Sequence, residues 1–226
     1  MTSQPKVWLI TGCSAGFGIS LARAVLAHGH HLIASSRNPS KTLELVQEVK
    51  QKGGHWLALD VTSPAKNIKR TIDEAVALHG RLDVVVNNAG FAVLGAVEDI
   101  TEALAQEVAP FGVRVIVVEP GLFRTNFLEH GAATYEQPSE PYRGTVVEDN
   151  IQYLQGRHGK QPGDPDKAAE RIYEVVTGEG MAQGKPEHLR LVLGSNAFRT
   201  AQTKIEQLQR NLTELEELSM STEYDS

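Results

Sequence analysis

KVWLITGCSAGFG, residues 6–18, is the stretch whose reading decides the fold of this chain. Val7–Ile10 is a short apolar run of the kind that forms a strand buried on both faces of a parallel sheet. It leads straight into Thr11-Gly12 and a glycine series at Gly12, Gly16 and Gly18. A helical pattern follows, with Ile19, Ala22, Val25 and Leu26 on one face and Gly29 as its stop signal. Leu32–Ser35, a second apolar run, closes a βαβ unit. Glycines in this setting let the chain turn sharply and let backbone N–H groups approach a pyrophosphate at a helix N-terminus, where the helix dipole favours anions. The spacing is G-x-x-x-G-x-G rather than G-x-G-x-x-G. Three loop glycines alone would read equally well as a tight turn; the strand before them and the helix after them make the dinucleotide reading the stronger one.

Outward from that stretch the alternation continues. Ser36-Arg37-Asn38-Pro39 forms a turn, and Thr42, Leu45, Val46 and Val49 make a helical face ending near Gly53-Gly54. Trp56–Asp60 is the third strand. Thr62 or Ser63 is expected to cap the next helix, with Pro64 at its first position and Ile68, Ile72, Ala75 and Val76 on its buried face. Leu82–Asn88 is an almost continuous apolar run, and so a central strand. Strands and helices alternating in this way imply an α/β chain with a doubly wound parallel sheet.

Composition bounds the rest. A hydrophobic share of 41% and an aromatic share of 6% match an ordinary globular protein, and 226 residues suit one α/β domain. The single cysteine, Cys13, excludes an internal disulfide and fits a reducing compartment. Its place in the glycine loop leaves two readings, a reactive thiol or an inert small residue. No apolar stretch approaches the roughly 20 residues that span a bilayer, and MTSQPK lacks a signal-peptide core, so a cytoplasmic location is expected. The formal charge of −6 is concentrated in residues 206–226, where six acids and one base give −5. The body has no basic excess for nucleic acid.

TGCSAGFG at 11–18, LDVT at 59–62, NNAG at 87–90 and EPGLFRT at 119–125 together resemble the short-chain dehydrogenase/reductase family, in order and over nearly the whole chain. The wording is most similar to fungal members related to retinol and hydroxysteroid dehydrogenases. The resemblance implies a Rossmann-type fold that binds a nicotinamide dinucleotide and acts on a small alcohol or carbonyl compound. It implies Gly12, Ser14, Gly16, Phe17 and Gly18 around the phosphates, Asp60 and Val61 at the adenine, and Asn88, Ala89 and Gly90 along the cofactor. Pro120, Gly121, Phe123 and Thr125 would border the nicotinamide. Each has a plainer role as well: Asp60 as a loop cap, Pro120-Gly121 as a turn.

Charge argues for the choice of cofactor. An acid at the end of the second strand would bind the ribose 2′-OH of NAD and repel a 2′-phosphate. Ser35-Ser36-Arg37 stands there instead, and arginine offers a planar fork of donors suited to phosphate. NADP is the expected cofactor.

The family reduces carbonyls with a serine and a Tyr-x-x-x-Lys pair, and here the chain departs from it. The fourth residues after Tyr135, Tyr142, Tyr153 and Tyr173 are Ser139, Val146, Arg157 and Thr177, and Tyr224 lies too near the end. Leu94–Thr101 resembles the start of one family helix and Glu102–Gly112 the end of the catalytic one. An internal deletion near Thr101-Glu102 is the expectation, by splicing, gene decay or a faulty gene model, and no catalytic residue is assigned. The sheet is then one strand shorter, with Val113–Val118 expected to pair directly with Val84–Asn87 through a crossover helix at Glu102–Val108. Tyr135, Tyr142 and His130 are the side chains that remain for the nicotinamide end.

Further on, Asp164-Pro165 caps a helix with Ala168, Ile172, Val175 and Val176 on its apolar face, and Leu189–Leu193 is the last strand. His28, His30 and His31 sit at a helix–strand turn with no acidic partner expected nearby, and no metal constellation is found. Residues 1–195 read as one NADP-binding domain and 196–226 as an acidic helical tail. Ile205, Leu208, Leu212, Leu215 and Leu218 in that tail either pack on the body or form a homo-oligomer contact. Two function classes stay open: an oxidoreductase by descent, and a catalytically dead nucleotide-binding or interaction module.

Overall fold

The computed structural model describes residues 4–90, 98–128, 140 and 143–222. The chain divides into two units, residues 1–95 with 124–186 and residues 96–123 with 187–226.

In the first unit, β1 (Val7–Ile10) is buried along its whole length and lies between β2 (His31–Ser36) and β4 (Val84–Val86). β3 (His55–Ala58) pairs with the far side of β2, so the parallel order is β3-β2-β1-β4. The period of two divides β1 between two faces. Val7 and Leu9 join Ile33 in a cluster closed by Ala75 and Ile72 of α3 (Ala65–His79). Trp8 on the other face stacks on Tyr173 of α6 (Pro165–Thr177), 6.1 Å between ring centres. That helix packs on α1 (Gly16–Ala27), and α2 (Leu43–Gln51) links β2 to β3. Helices therefore cover both faces. Because the strands are parallel, the chain leaves each one at the same edge of the sheet: at Thr11-Gly12, Arg37, Leu59-Asp60 and Asn87–Ala89. This is the edge at which such sheets bind ligands.

Three local expectations need correction. β4 is not central: it ends the ladder of the four-stranded sheet, with Val85 half-exposed. Neither Thr62 nor Ser63 caps α3. Pro64 stands at its N-cap without a side-chain bond, and Thr62 turns back to Asp60. The histidines at the α1–β2 turn do have acids near them, brought from far along the chain. His28 Nε2 lies 3.0 Å from a Glu170 carboxylate oxygen, and His30 Nε2 lies 3.0 Å from the Tyr173 hydroxyl, which donates to Glu179 at 3.0 Å. Asp164 caps α6 as expected, accepting from the amides of Asp166 and Lys167. α5 (Val146–Gln155) completes this unit.

The second unit contains α4 (Glu98–Val108), β5 (Val117–Pro120), β6 (Arg190–Leu193), α7 (Ser195–Glu214) and α8 (Glu216–Met220). β5 pairs in parallel with β6 in a sheet of its own, not with β4. The expected pairing of Val113–Val118 with Val84–Asn87 is overturned. β6 supplies a partner along the whole of β5, pairing Val117–Pro120 with Arg190–Leu193. Arg190 adds ion pairs to Glu119 and Glu102, each at 2.6 Å. α4 passes without a break through Thr101-Glu102.

Candidate functional site

The loop after β1 is organised by Thr11. Its hydroxyl accepts the amides of Asn88 at 3.0 Å and Ala89 at 2.9 Å and donates to the Val86 carbonyl at 3.2 Å. Asn88 answers through its side chain, which donates to the carbonyls of Thr11 at 2.9 Å and Gly12 at 3.2 Å. The turns after β1 and β4 are thereby locked together. Thr11 was no candidate on sequence, although a hydroxyl at the buried end of an apolar strand must find partners, and that signal was available.

Two glycines are required by close approach. Gly12 has φ +72°, and a Cβ there would lie 2.8 Å from Ala89 Cα. A Cβ at Gly18 would run into the Gly12 carbonyl oxygen and come within 2.6 Å of Asn88 Nδ2. Their absent side chains let α1 and the turn after β4 close on the loop. Gly16 begins α1, and a Cβ there would meet Thr125 Cβ at 3.4 Å, so Thr125 stands beside the start of the helix. Ser14 is exposed on the loop and Phe17 half-buried in the first turn. α1 has no side-chain cap and no acid in its first turn. Nothing built into that end competes with an incoming anion.

Cys13 faces inward. Its amide donates to the Ser35 carbonyl at 2.8 Å and its Sγ to the Ile10 carbonyl at 3.2 Å. Burial pushes the thiol up to about 12. Of the two readings of Cys13, the inert one stands.

Arg37 follows β2 and is exposed, while the Ser36 hydroxyl before it accepts from the Trp56 indole at 3.1 Å. Asp60 follows β3, its carboxylate held by the Thr62 amide at 3.0 Å and hydroxyl at 2.7 Å. Those bonds, with the charge of Arg37 nearby, keep its pKa below the usual carboxylate value. The loop-cap role of Asp60 is thus present. Val61 beside it and Gly90 after Ala89 are exposed. The first unit accordingly gathers Gly12, Ser14, Gly16, Gly18, Arg37, Asp60, Asn88 and Ala89 at one edge of one sheet, with Thr125 beside α1.

Pro120 and Gly121 belong to the second unit. Gly121 donates to the Leu193 carbonyl at 2.8 Å, and a Cβ on it would run into the Asn196 side chain, so its turn is packed against the start of α7. Phe123 lies against Gly194 there. His130, Tyr135 and Tyr142 fall outside the described residues.

The family model described as short chain dehydrogenase matches residues 6–96. The oxidoreductase claN of Passalora fulva is 30% identical over 213 aligned positions, covering 66% of this chain and 95% of that protein. The chain belongs to the short-chain dehydrogenase/reductase family. A short-chain dehydrogenase structure from Streptomyces avermitilis superposes on this short-chain dehydrogenase/reductase with a TM-score of 0.81 at 29% identity, over 99% of this chain and 100% of that one. The oxidoreductase BOA17 of Botryotinia fuckeliana is 28% identical, over 96% of this chain and 99% of that protein. That alignment runs over 282 positions although this chain has 226 residues, so at least 56 positions are filled only in the relative. Among the described residues no helix is long and apolar enough to cross a membrane, and no cluster of metal-ligating side chains occurs.

Proposed function

We propose that this short-chain dehydrogenase/reductase binds NADP(H) along the sheet edge of its first unit and does not carry out the carbonyl reduction of its family. One observation carries this: a glycine loop leading into an uncapped helix stands in a chain whose sequence contains no Tyr-x-x-x-Lys. The loop and first turn at Gly12, Ser14, Gly16, Phe17 and Gly18 would hold the phosphates, an assignment supported by the uncapped, acid-free start of α1. Asp60 and Val61 would meet the adenine, and Asn88, Ala89 and Gly90 would run along the cofactor. Thr125, beside the start of α1, would border the nicotinamide, the group that supplies the hydride when bound. Arg37 would take the 2′-phosphate. It is supported by the absence of any carboxylate in Ser35-Ser36-Arg37 and by the engagement of Ser36 with Trp56. Of the two function classes this favours the nucleotide-binding one, in a cytosolic setting that suits a buried, unpaired thiol.

A charge-assisted hydrogen bond contributes about 1.5–3 kcal/mol, roughly ten- to a hundredfold in affinity. NADPH is therefore expected to bind at least about tenfold more tightly than NADH, a preference that Arg37→Ala abolishes. Equal affinities in the unaltered protein would refute the cofactor assignment. General acid catalysis supplies about 10²- to 10⁴-fold. NADPH consumption with a panel of aldehydes and ketones is expected to stay at background. Sustained turnover by the purified protein would refute the inactive state.

The length of the BOA17 alignment favours a second reading as well. A transcript joining across codons 101–102 would produce the uninterrupted α4 and the loss of the catalytic segment together. Sequencing the messenger RNA tests it: an in-frame insertion encoding Tyr-x-x-x-Lys at that junction would make the longer product the enzyme.

A further inference from the structure

α7 is twenty residues long and buries none of them. Helices in proteins are held chiefly by packing an apolar face rather than by intrinsic propensity. The face exists. Phe198, Ala201, Ile205, Leu208 and Leu212, with Leu215 at the C-cap, recur at alternating intervals of three and four, the spacing of a two-stranded seam. Apart from Ala201, each leaves about half or more of its surface in water, with Leu212 at 69%.

Charge along the helix names the occupant. Arg199 and Lys204 are the charged residues of its first half, Glu206 and Arg210 offset each other in the middle, and Glu214, Glu216 and Glu217 follow. A parallel neighbour of the same sequence would set acids against acids. An antiparallel one sets the basic start of each helix against the acidic end of the other.

We propose that α7 is a self-association surface, pairing antiparallel with α7 of a second copy of this chain. The seam then closes in register: Phe198 opposite Leu215, Ala201 opposite Leu212 and Ile205 opposite Leu208 of the second copy. The same register brings Arg199 level with Glu214. From Phe198 to Leu215 the contact is about 26 Å long at 1.5 Å per residue. So short a seam gives a reversible dimer that forms as concentration rises.

Sedimentation equilibrium of the full chain across a wide concentration range is expected to show a monomer–dimer transition that weakens with salt. Leu208→Glu removes two leucines per dimer and is expected to weaken it by about a hundredfold. Leu208 is exposed, so circular dichroism should show the fold unchanged. Orientation is read by cross-linking: a mixture of Ala201→Cys and Leu212→Cys chains should form a mixed disulfide dimer, while Ala201→Cys alone should not. A monomer at every concentration, a dimer indifferent to Leu208→Glu, or self-cross-linking of Ala201→Cys would each overturn the proposal. So would a monomer that instead binds anionic phospholipid vesicles through α7.

Discussion

The side chain of Asn88 donates to the main-chain carbonyl of Thr11 at 2.9 Å, and the Thr11 hydroxyl accepts the main-chain amide of Asn88 at 3.0 Å. Two turns 77 residues apart are fixed to each other by this reciprocal pair. Thr11→Val keeps the shape and leaves the amides of Asn88 and Ala89 without their acceptor. At about 1–3 kcal/mol for each buried unpaired donor, urea unfolding should show a loss of about 2–4 kcal/mol. Thr11→Ser should retain most of the stability.

Gly18→Ala and Gly29→Ala separate close approach from backbone strain. Alanine at position 18 meets the Gly12 carbonyl and the Asn88 amide, and overpacking of this kind costs about 1–3 kcal/mol. It also displaces the start of α1, so NADPH affinity should fall by at least about tenfold. Gly29 has φ +76° with open space around it, so alanine there should cost about 1–2 kcal/mol and leave cofactor affinity unchanged. Isothermal titration beside urea unfolding measures both quantities.

Cys13 should be silent to thiol reagents. With its thiol pushed up to about 12 and shielded under the loop, the native protein at pH 8 should release no chromophore from a disulfide reagent, and the unfolded protein one equivalent. A native reaction at the rate of a free thiol would contradict the buried placement.

His79 makes the fold sensitive to mild acid. Burial holds its pKa below the ordinary imidazole value, and His31, stacked at 4.4 Å, His55, edge-on at 5.4 Å, and Arg81 act in the same direction. A folded-state pKa below the unfolded one makes stability complete above the unfolded value, about 6.5. It is lost progressively as pH falls below that. Urea midpoints at successive pH values between 7 and 5 should fall for the unaltered protein and fall less for His79→Gln. His30, also lowered by burial, contributes with the same sign and accounts for slope that remains.

β1 and β2 are legible in sequence because burial on both faces makes their apolar runs continuous, and Asp164-Pro165 because a cap is a local bond. The place of β4 is not legible. Leu82–Asn88 reads as central from its own residues, yet what lies beside a strand is decided by another part of the chain, and β5 pairs with β6 instead. His28 and Glu170 meet across 142 residues, a distance no local pattern spans. At the candidate site the glycines announce themselves by spacing, while the Thr11–Asn88 lock depends on the turns after two strands being brought together.

Among the described residues the ladder stops at Val84–Val86, three β-branched residues whose outer side is then a template for extended backbone. Parallel sheets ordinarily keep such strands inside. For the cell, the consequence is one of proteostasis. An unpaired edge of this kind is a template for association at high expression, the state that holdase chaperones suppress. The chain's steady-state amount would then be set by clearance more than by synthesis.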